Sequence, residues 1–207
     1  MDQDIEKHIS RYLKAPDTSM NSFRNIFNLF HNILSSIFIA VVIAVILRVF
    51  ILSVFYIPST SMEETLQIGD HIIVWKFLYN NKIPIFNIKL PFGFKIKRGD
   101  IIVFISPTDS NEDYVKRCIG LPGDKIEFIG NRVYINNKLL KEPYVKNKDL
   151  IFYSKKVYIV PKNHIFVMGD NRINSSDSRE WGYLPMQNVI GKALFVFFPF
   201  NRIRIVK

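Results

Sequence analysis

The sequence has little of what metal and redox chemistry require. It contains a single Cys, which excludes both an intramolecular disulfide and a zinc site built on C-x-x-C thiolates. Its four His are scattered, and no H-E-x-x-H motif occurs that would indicate a catalytic zinc. We therefore expect the protein to use neither a metal ion nor another cofactor.

Charge is absent from one long segment near the N-terminus. Residues 25–47 contain no Asp, Glu, Lys or Arg. A helix of these 23 residues would be about 34 Å long, enough to cross a hydrocarbon layer of about 30 Å. No A-x-A site follows, which disfavours a cleaved secretory signal, and no polar face is present, which disfavours a buried core helix. We predict a transmembrane helix over residues 25–48.

The basic residues that flank this helix predict its orientation. Lys and Arg are retained on the cytoplasmic side of a membrane, whereas acidic residues contribute little to topology. The N-terminal flank carries Lys7, Arg11, Lys14 and Arg24, and the C-terminal flank carries only Arg48. We predict that residues 1–24 are a cytoplasmic segment of a single-pass inner-membrane protein. Residues 49–207 then form an extracytoplasmic domain on the periplasmic side.

Short runs of β-branched and aromatic residues dominate the remainder. The clearest are residues 71–75, 100–104, 125–128 and 156–160. Gly130-Asn131 and Asn136-Asn137 are typical of hairpin turns. The predicted fold class is mainly β, with one N-terminal transmembrane helix followed by an antiparallel β domain. Within that domain we expect a small β insertion at about residues 125–163, with residues 138–156 as its flexible part.

Three segments carry polar residues where a plain β domain would not. They span residues 57–66, 114–124 and 169–182. The first is a Ser-rich turn, the second places Lys and Arg side by side in an apolar run, and the third is a long polar loop. Each segment alone is a weak signal. Their order after one apolar helix makes them informative as a set.

Together these segments resemble the conserved boxes of bacterial type I signal peptidases, which cut signal peptides from exported proteins. The S-M-x-P-T-L box of that family is similar to residues 61–66, with Glu64 in place of Pro. Its Y-x-K-R-x-x-G-x-P-G-D box is matched in full by residues 114–124, and its G-D-N-R-x-N-S-x-D-S-R-x-W-G box by residues 169–182. The resemblance covers roughly residues 30–200 and implies the β fold of a signal-peptidase catalytic domain.

The resemblance implies a catalytic dyad of Ser61 and Lys116. A Ser hydroxyl is a poor nucleophile until a base removes its proton, and none of the three boxes contains a His. Lys116 can be that base only when neutral, which requires its pKa to fall by around two units from about 10.4. The apolar neighbours of Lys116 in sequence predict the burial that would lower it.

The same resemblance implies roles for the other residues of the boxes. Ser59 and the backbone N–H of Ser61 would form the oxyanion hole, and Ser175 would orient the Lys116 amine. Ion pairs that support the Ser175 loop are expected from Asp170, Asp177 and Arg179. The substrate would lie in shallow apolar pockets walled by Phe55, Ile57, Pro58, Met62 and Val115. Small pockets of this kind admit Ala at the −1 and −3 positions of a signal peptide.

The implied partners are preproteins that bear signal peptides, with the secretion translocon nearby. Residues 58–207 contain 23 basic and 14 acidic residues, a balance that suits nucleic acid or anionic lipid. Because the basic residues are spread along the chain and the predicted compartment holds little nucleic acid, we expect membrane lipid and no nucleic acid. A basic face that only contacts solvent is the other interpretation. Residues 193–200, A-L-F-V-F-F-P-F, are either a core strand or a strand whose tip enters the headgroup layer.

Three alternatives carry less support from the residues. A Ser–His pair with His71 or His164 is disfavoured because no G-x-S-x-G elbow occurs and both His lie in predicted strands. Self-cleaving repressors of the SOS response use a Ser/Lys dyad but carry a DNA-binding domain in place of the helix. A membrane-anchored β module without catalysis would tolerate loss of Ser61 or Lys116, and both are present.

The predicted orientation can be tested with sealed inside-out membrane vesicles. Protease added to them should remove only about the first two dozen residues, because the Lys and Arg bias retains the N-terminus on the exposed, cytoplasmic face. Immunoblotting with antibodies against each end of the chain measures the result. Vesicles of the opposite orientation serve as the control, and digestion of the β domain in inside-out vesicles would contradict the topology.

Overall fold

A computed structural model describes residues 18–46, 52–76, 95–146 and 156–207. The chain divides after Ile46 into two compact units. In the first, helix α1 spans Thr18–Ile46 and begins before the predicted residue 25. Its part from Arg24 to Val45 has the length and composition of a membrane span, and its described side chains are almost all exposed. The predicted boundaries at residues 24 and 48 stay predictions, and residues 1–17 and 47–51 lie outside the described residues.

The second unit contains a large antiparallel sheet, in agreement with the mainly β prediction. Its strand order is β1-β2-β11-β3-β4-β9-β10, with β12 paired to β11. The strands are β1 Leu52–Tyr56, β2 His71–Trp75, β3 Ile101–Ile105, β4 Asp113–Gly120, β9 His164–Met168, β10 Leu184–Pro185, β11 Val189–Phe198 and β12 Arg204–Ile205. A short helix, α2 Ser178–Trp181, precedes β10. The predicted fold class is confirmed.

A smaller antiparallel sheet lies between β4 and β9 in the chain, in the order β7-β6-β5-β8. Its strands are β5 Lys125–Ile129, β6 Arg132–Ile135, β7 Lys138–Leu139 and β8 Val157–Ile159. Both predicted hairpin turns are confirmed, since Ile129 pairs with Arg132 and Ile135 pairs with Lys138. Asn136 and Asn137 adopt φ values of 51° and 63°, which suit a tight hairpin and which Asn tolerates well.

The flexibility predicted for residues 138–156 stays a prediction. Residues 138–146 form β7 and a turn in which Val145 and Glu142 are buried. Two charged side chains of this part make specific contacts, since Glu142 pairs with Arg172 and Lys146 pairs with Glu64. Residues 147–155 lie outside the described residues.

The long strand β11 lies at the centre of the large sheet, between β2 and β3. This position explains why residues 193–200 are apolar on both faces, because Ala193 and Val196 are buried in the sheet core. The end of the segment differs, since Phe198 and Phe200 are largely exposed. The strand therefore belongs to the core, whereas its tip, residues 198–200, does not.

One hydrophobic cluster of the large sheet anchors the turn that follows β1. Met62 and Leu66, four residues apart in this turn, are both fully buried against Ile72, Val74 and Val196. Burying a side chain of that size contributes about 1.5–3 kcal/mol. The turn is therefore held on the sheet by its apolar residues.

Candidate active site

Ser61 begins the turn that Met62 and Leu66 hold on the sheet. The chain enters it from β1 through Ile57, whose N–H donates to Asp70 O at 2.9 Å and whose O accepts from Gly69 N at 3.0 Å. The turn closes with hydrogen bonds from Glu63 N to Thr60 O at 2.9 Å and from Leu66 N to Met62 O at 2.7 Å. The Ser61 side chain therefore projects from a well-bonded turn, at a residue that is only 9% exposed.

Lys116 lies in β4, where its backbone pairs with Ile102 of β3. Its Nζ donates to Ser61 Oγ at 2.8 Å, across 55 residues of sequence. The residue is 4% exposed, and burial lowers the pKa of Lys116 to about 8 because an ammonium ion loses its hydration there. Nearby Asp177 raises that pKa and Arg179 lowers it, and both effects are smaller than the effect of burial.

Ser175 lies beside the pair in the polar loop after β9. Its hydroxyl donates to Asp177 Oδ2 at 2.8 Å, and the same carboxylate oxygen accepts from Gly169 N at 2.9 Å. The Arg179 Nε donates to Asp177 Oδ1 at 2.7 Å, so this fully buried carboxylate is paired. Asp177 is thus the centre from which the Ser175 loop is organised.

A second buried ion pair joins the loop to β4. Arg117 donates from Nε and Nη2 to the two oxygens of Asp170, at 2.8 and 2.7 Å, and both side chains are almost fully buried. Thr65 Oγ1, at the far end of the Ser61 turn, also donates to Asp170. The backbone N–H of Asn171 donates to Ser61 O at 3.1 Å. Segments far apart in sequence are therefore tied together around Ser61 and Lys116.

Gly169 allows these segments to approach. A Cβ built at this position would lie 2.2 Å from Ser175 Oγ and 2.4 Å from Ser61 O. Carbon atoms do not approach oxygen atoms so closely, so any larger residue would push the Ser61 turn and the Ser175 loop apart. The absence of a side chain at residue 169 is a condition for the site geometry.

A groove of about 670 Å³ opens beside Ser61 and Lys116. One wall comes from residues 55–59 and Met62, and the opposite wall comes from residues 112–115, at the start of β4. Asn174 and Ser176 of the polar loop close one part of it. A serine hydroxyl, a buried amine and a groove of this size form an arrangement suited to cutting an extended peptide.

Comparison with known proteins shows which family the chain resembles. The family described as signal peptidase, peptidase S26, matches residues 30–198. The chain is similar to a signal peptidase I of Leptolyngbya laminosa, with 41% identity over 165 residues that cover 75% of this chain and 73% of the relative. It is similar to a signal peptidase I of Pseudomonas aeruginosa, with 35% identity over 188 residues that cover 72% and 66% of the two chains.

The chain belongs to the S26 signal peptidase family. It is a serine peptidase with signal peptidase I function. A solved structure of a signal peptidase I from Enterococcus faecalis V583 shares 34% identity and covers 47% of this chain and 96% of that chain, with a TM-score of 0.44.

The residues predicted to serve the peptidase come together in the fold. All five predicted wall residues, Phe55, Ile57, Pro58, Met62 and Val115, line the groove. Ser59 Oγ lies 3.3 Å from Ser61 Oγ. Asp177 pairs with Arg179, and Asp170 pairs with Arg117, a partner that was not predicted from the sequence. The roles of these residues in catalysis stay predictions.

The hydrogen-bond partner of Ser175 differs from the expected one, which was the Lys116 amine. Within the described part of the chain, the Ser175 hydroxyl donates to Asp177, and the Lys116 amine donates to Ser61. A hydroxyl that donates its proton to a carboxylate keeps its lone pairs for another donor. The orienting role of Ser175 therefore stays a prediction.

Several groove residues were missed in the sequence. Tyr114, Asn174 and Ser176 lie inside the boxes, and their position within those boxes was the signal that could have identified them. Glu112 and Asp113 precede the second box, and no local pattern distinguishes them from ordinary surface carboxylates. Their place in the wall depends on how β4 packs.

The two strand His are remote from the dyad in their contacts. The His71 ring packs against Tyr56, Phe197 and Phe198, and His164 Nδ1 bonds Lys162 O at 2.9 Å. Neither contacts Ser61. Over residues 18–46, 52–76, 95–146 and 156–207, no group of three or more His, Cys, Asp or Glu is arranged to hold a metal ion.

Replacing Gly169 with Ala should impair both catalysis and stability. The new Cβ would separate Ser61 and Ser175, and a misplacement of about 1 Å costs about 100-fold in rate. We expect kcat on a signal-peptide substrate to fall by about that factor. Overpacking should lower the free energy of unfolding by about 1–3 kcal/mol. Steady-state kinetics and denaturant unfolding of the full chain in detergent measure the two effects.

Gly191→Ala is the matched control for overpacking. A Cβ at residue 191 would lie 2.4 Å from Trp75 O, so this variant should lose similar stability. The added Cβ would meet Trp75 and Val74 of β2 rather than Ser61 or Lys116. This variant should therefore retain kcat. Equal losses of kcat in the two variants would contradict a specific role for the missing side chain of Gly169.

Proposed function

We propose that the protein is a membrane-anchored endopeptidase that removes signal peptides from exported preproteins, with Ser61 as nucleophile and Lys116 as general base. The observation that carries the proposal is the 2.8 Å contact between Lys116 Nζ and Ser61 Oγ, made by a lysine that is 4% exposed. Burial favours the neutral amine, and a neutral amine at hydrogen-bond distance can accept the serine proton.

The first half of the reaction forms an acyl-enzyme. Lys116 Nζ takes the proton of Ser61 Oγ as Oγ bonds to the scissile carbonyl carbon, and a tetrahedral intermediate results. The C–N bond of the peptide then breaks, and the Lys116 ammonium gives its proton to the leaving amine. The mature protein departs with a free N-terminus, and the signal peptide stays on Ser61 as an ester.

The second half returns the enzyme to its starting state. Neutral Lys116 takes a proton from water as the water oxygen attacks the ester carbonyl. The bond from carbon to Ser61 Oγ breaks, and Lys116 returns the proton to Oγ. No other base is required, because the same amine serves both half-reactions.

The developing oxyanion would be stabilised by Ser59 Oγ and the Ser61 N–H. Ser59 Oγ lies 3.3 Å from Ser61 Oγ, close to where the carbonyl oxygen would lie. The Ser61 N–H donates to no backbone carbonyl in the described part of the chain, which supports its availability. Removing one donor of this kind costs about 3 kcal/mol in transition-state stabilisation.

The groove suits a peptide bound as an additional strand. Residues 113–116 of β4 pair with β3 on one side, whereas β9 pairs with β4 only from Arg117 onward. β1 is the edge strand on the other side of the groove. Among the described strands, none pairs with these two edges, so they can hydrogen-bond an extended chain, while apolar Phe55, Ile57 and Val115 receive its alternate side chains. Shallow apolar pockets favour Ala at the −1 and −3 positions.

The proposal places α1 in the membrane, the N-terminus in the cytoplasm and the catalytic domain on the outer face near the translocon. The exposed tip residues Phe198, Phe200, Ile203 and Ile205 would enter the headgroup layer. Three basic side chains that flank the tip in sequence are paired: Lys192 with Asp100, and Arg202 and Arg204 with Asp70. Apolar contact, rather than positive charge, would therefore dominate lipid binding.

The pH dependence of cleavage tests Lys116 as the base. The pKa of Lys116 near 8 means that its neutral fraction rises about tenfold between pH 7 and pH 9. We expect kcat/KM for a signal-peptide substrate to rise by about that factor and then level off. A His base would instead produce a rise near pH 6.5. The measurement is a pH profile of the full chain in detergent.

Substitutions at Lys116 separate a base from a structural cation. Lys116→Arg keeps the positive charge but installs a guanidinium that stays protonated, so it should be as inactive as Lys116→Ala and Ser61→Ala. Ser175→Ala should retain intermediate activity, and His71→Ala and His164→Ala most of it. Cleavage by Lys116→Arg near the wild-type rate would show that the general-base assignment is wrong.

A fluorophore can test whether the tip meets lipid. Cys118 is fully buried, and burial raises the pKa of its thiol to about 12, so a reagent would label only an introduced surface thiol. A polarity-sensitive dye on Phe200→Cys, in the full chain in nanodiscs, should be quenched by brominated lipid because residue 200 is 78% exposed and apolar. The same dye on Val157→Cys, an exposed position of β8, is the control. Equal quenching at both positions would contradict lipid contact by the tip.

A further inference from the structure

Residues 142–146, which we call the strap, connect the small sheet with the catalytic segments. The strap follows β7, and Val145 anchors it by burial. Three of its side chains reach outward: Glu142 pairs with Arg172, the Tyr144 ring lies 3.9 Å from the Arg117 guanidinium, and Lys146 pairs with Glu64. One short segment therefore contacts residues of all three catalytic boxes.

Each contact falls next to a residue of the proposed machinery. Glu64 is three residues after Ser61, Arg117 follows Lys116 directly, and Arg172 is three residues before Ser175. The strap does not line the groove, so it does not meet the substrate there. Its contacts can affect catalysis only through the positions of Ser61, Lys116 and Ser175.

The contact at Arg172 is buried and strongly constrained. Arg172 and Glu142 are both nearly inaccessible, and Arg172 Nε also donates to Gly169 O at 3.0 Å. A buried charge without its partner is strongly unfavourable, so the pair holds the strap at one distance from the Ser175 loop. The Tyr144 ring covers Arg117 on the other side and helps to exclude water from the Arg117–Asp170 pair.

At residue 64 the family usually has a rigid Pro, whereas this chain has Glu64, which forms an ion pair with Lys146. Glu64 adopts φ of 88°, a conformation that proline cannot reach and that costs energy for any residue with a side chain. The Pro usual in the family is therefore incompatible with this backbone. Lys146 bonds the Glu64 carboxylate and so holds the end of the Ser61 turn from outside.

We propose that the strap is a positioning element of the peptidase, and that the pair of Lys146 and Glu64 holds the Ser61 turn in its reactive geometry. The inference rests on the proposed function of Ser61 and Lys116. Exposed ion pairs contribute little to global stability, so the effect of this pair should lie in catalysis and in local order.

Two variants separate positioning from stability. Lys146→Gln removes the partner of Glu64, and Glu64→Gly removes the carboxylate while relieving the positive φ. We expect each to lower kcat about three- to tenfold with KM unchanged. Glu64→Gly should keep or raise the melting temperature while kcat falls. The loss of activity would then not be explained by a loss of stability. Lys146→Arg, which retains the charge, should retain kcat.

Lys125→Gln is the matched control, because Lys125 pairs with Glu127 within the small sheet, and the exposure of the Glu127 side chain, 21%, is close to the 22% of Glu64. It should leave kcat and KM unchanged. The double variant Glu64→Gly with Lys146→Gln should lose no more activity than either single variant, since both break one contact. Additive losses, or unchanged kcat in Lys146→Gln, would overturn the proposal.

Amide hydrogen exchange of the full chain in detergent provides a readout that needs no cleavage. Exchange at Glu63, Thr65 and Leu66, whose N–H groups close the Ser61 turn, should be faster in Lys146→Gln than in wild type or Lys125→Gln. Unchanged exchange at these residues would refute the positioning role of the strap, even if cleavage depends on Ser61. Absence of Ser61-dependent cleavage in wild type would refute the proposed function, and exchange alone would then decide the strap.

Discussion

Exclusion of water from Lys116 is the constraint on which the rest of the site depends. Burial lowers the pKa of Lys116 to about 8, against 10.5 in water. The unfolded chain therefore binds more protons than the folded chain between these values, so the burial costs stability at neutral pH and the cost falls as the pH rises. Asp177 would stabilise the ammonium form, but Arg179 pairs with this carboxylate and opposes the effect. In the mechanism that we propose, the same burial makes the neutral amine of Lys116 available to accept the proton of Ser61.

The other buried charges around the site are paired across long sequence separations. Asp170 with Arg117 and Glu142 with Arg172 join β4, the strap and the polar loop. Buried ion pairs add little net stability, but breaking one leaves an uncompensated charge, so each pair permits essentially one arrangement of its segments. Such pairs fix the relative positions of the segments around Ser61 and Lys116. The proton transfer that we propose between this hydroxyl and this amine depends on those positions.

The small sheet contributes to the site through the strap that follows its strand β7. The strap does not line the groove, whereas β1 and β4 of the large sheet contribute to the groove walls. In our proposals, substrate binding and positioning of the dyad are therefore carried by different segments.

The sequence by itself determined what depends on neighbouring residues: the long apolar helix, the β strands, the Gly130-Asn131 and Asn136-Asn137 turns, and the order of the three boxes. The tertiary structure decided what depends on distant ones. Ser175 donates to Asp177, Glu112 and Asp113 enter the groove wall, Glu64 takes a positive φ, and residues 138–146 are anchored although their charge suggested a solvated loop. Strand propensity and turn chemistry act over a few residues, whereas a buried charge must be neutralised by whichever partner the fold brings within about 3 Å, often 50 or more residues away.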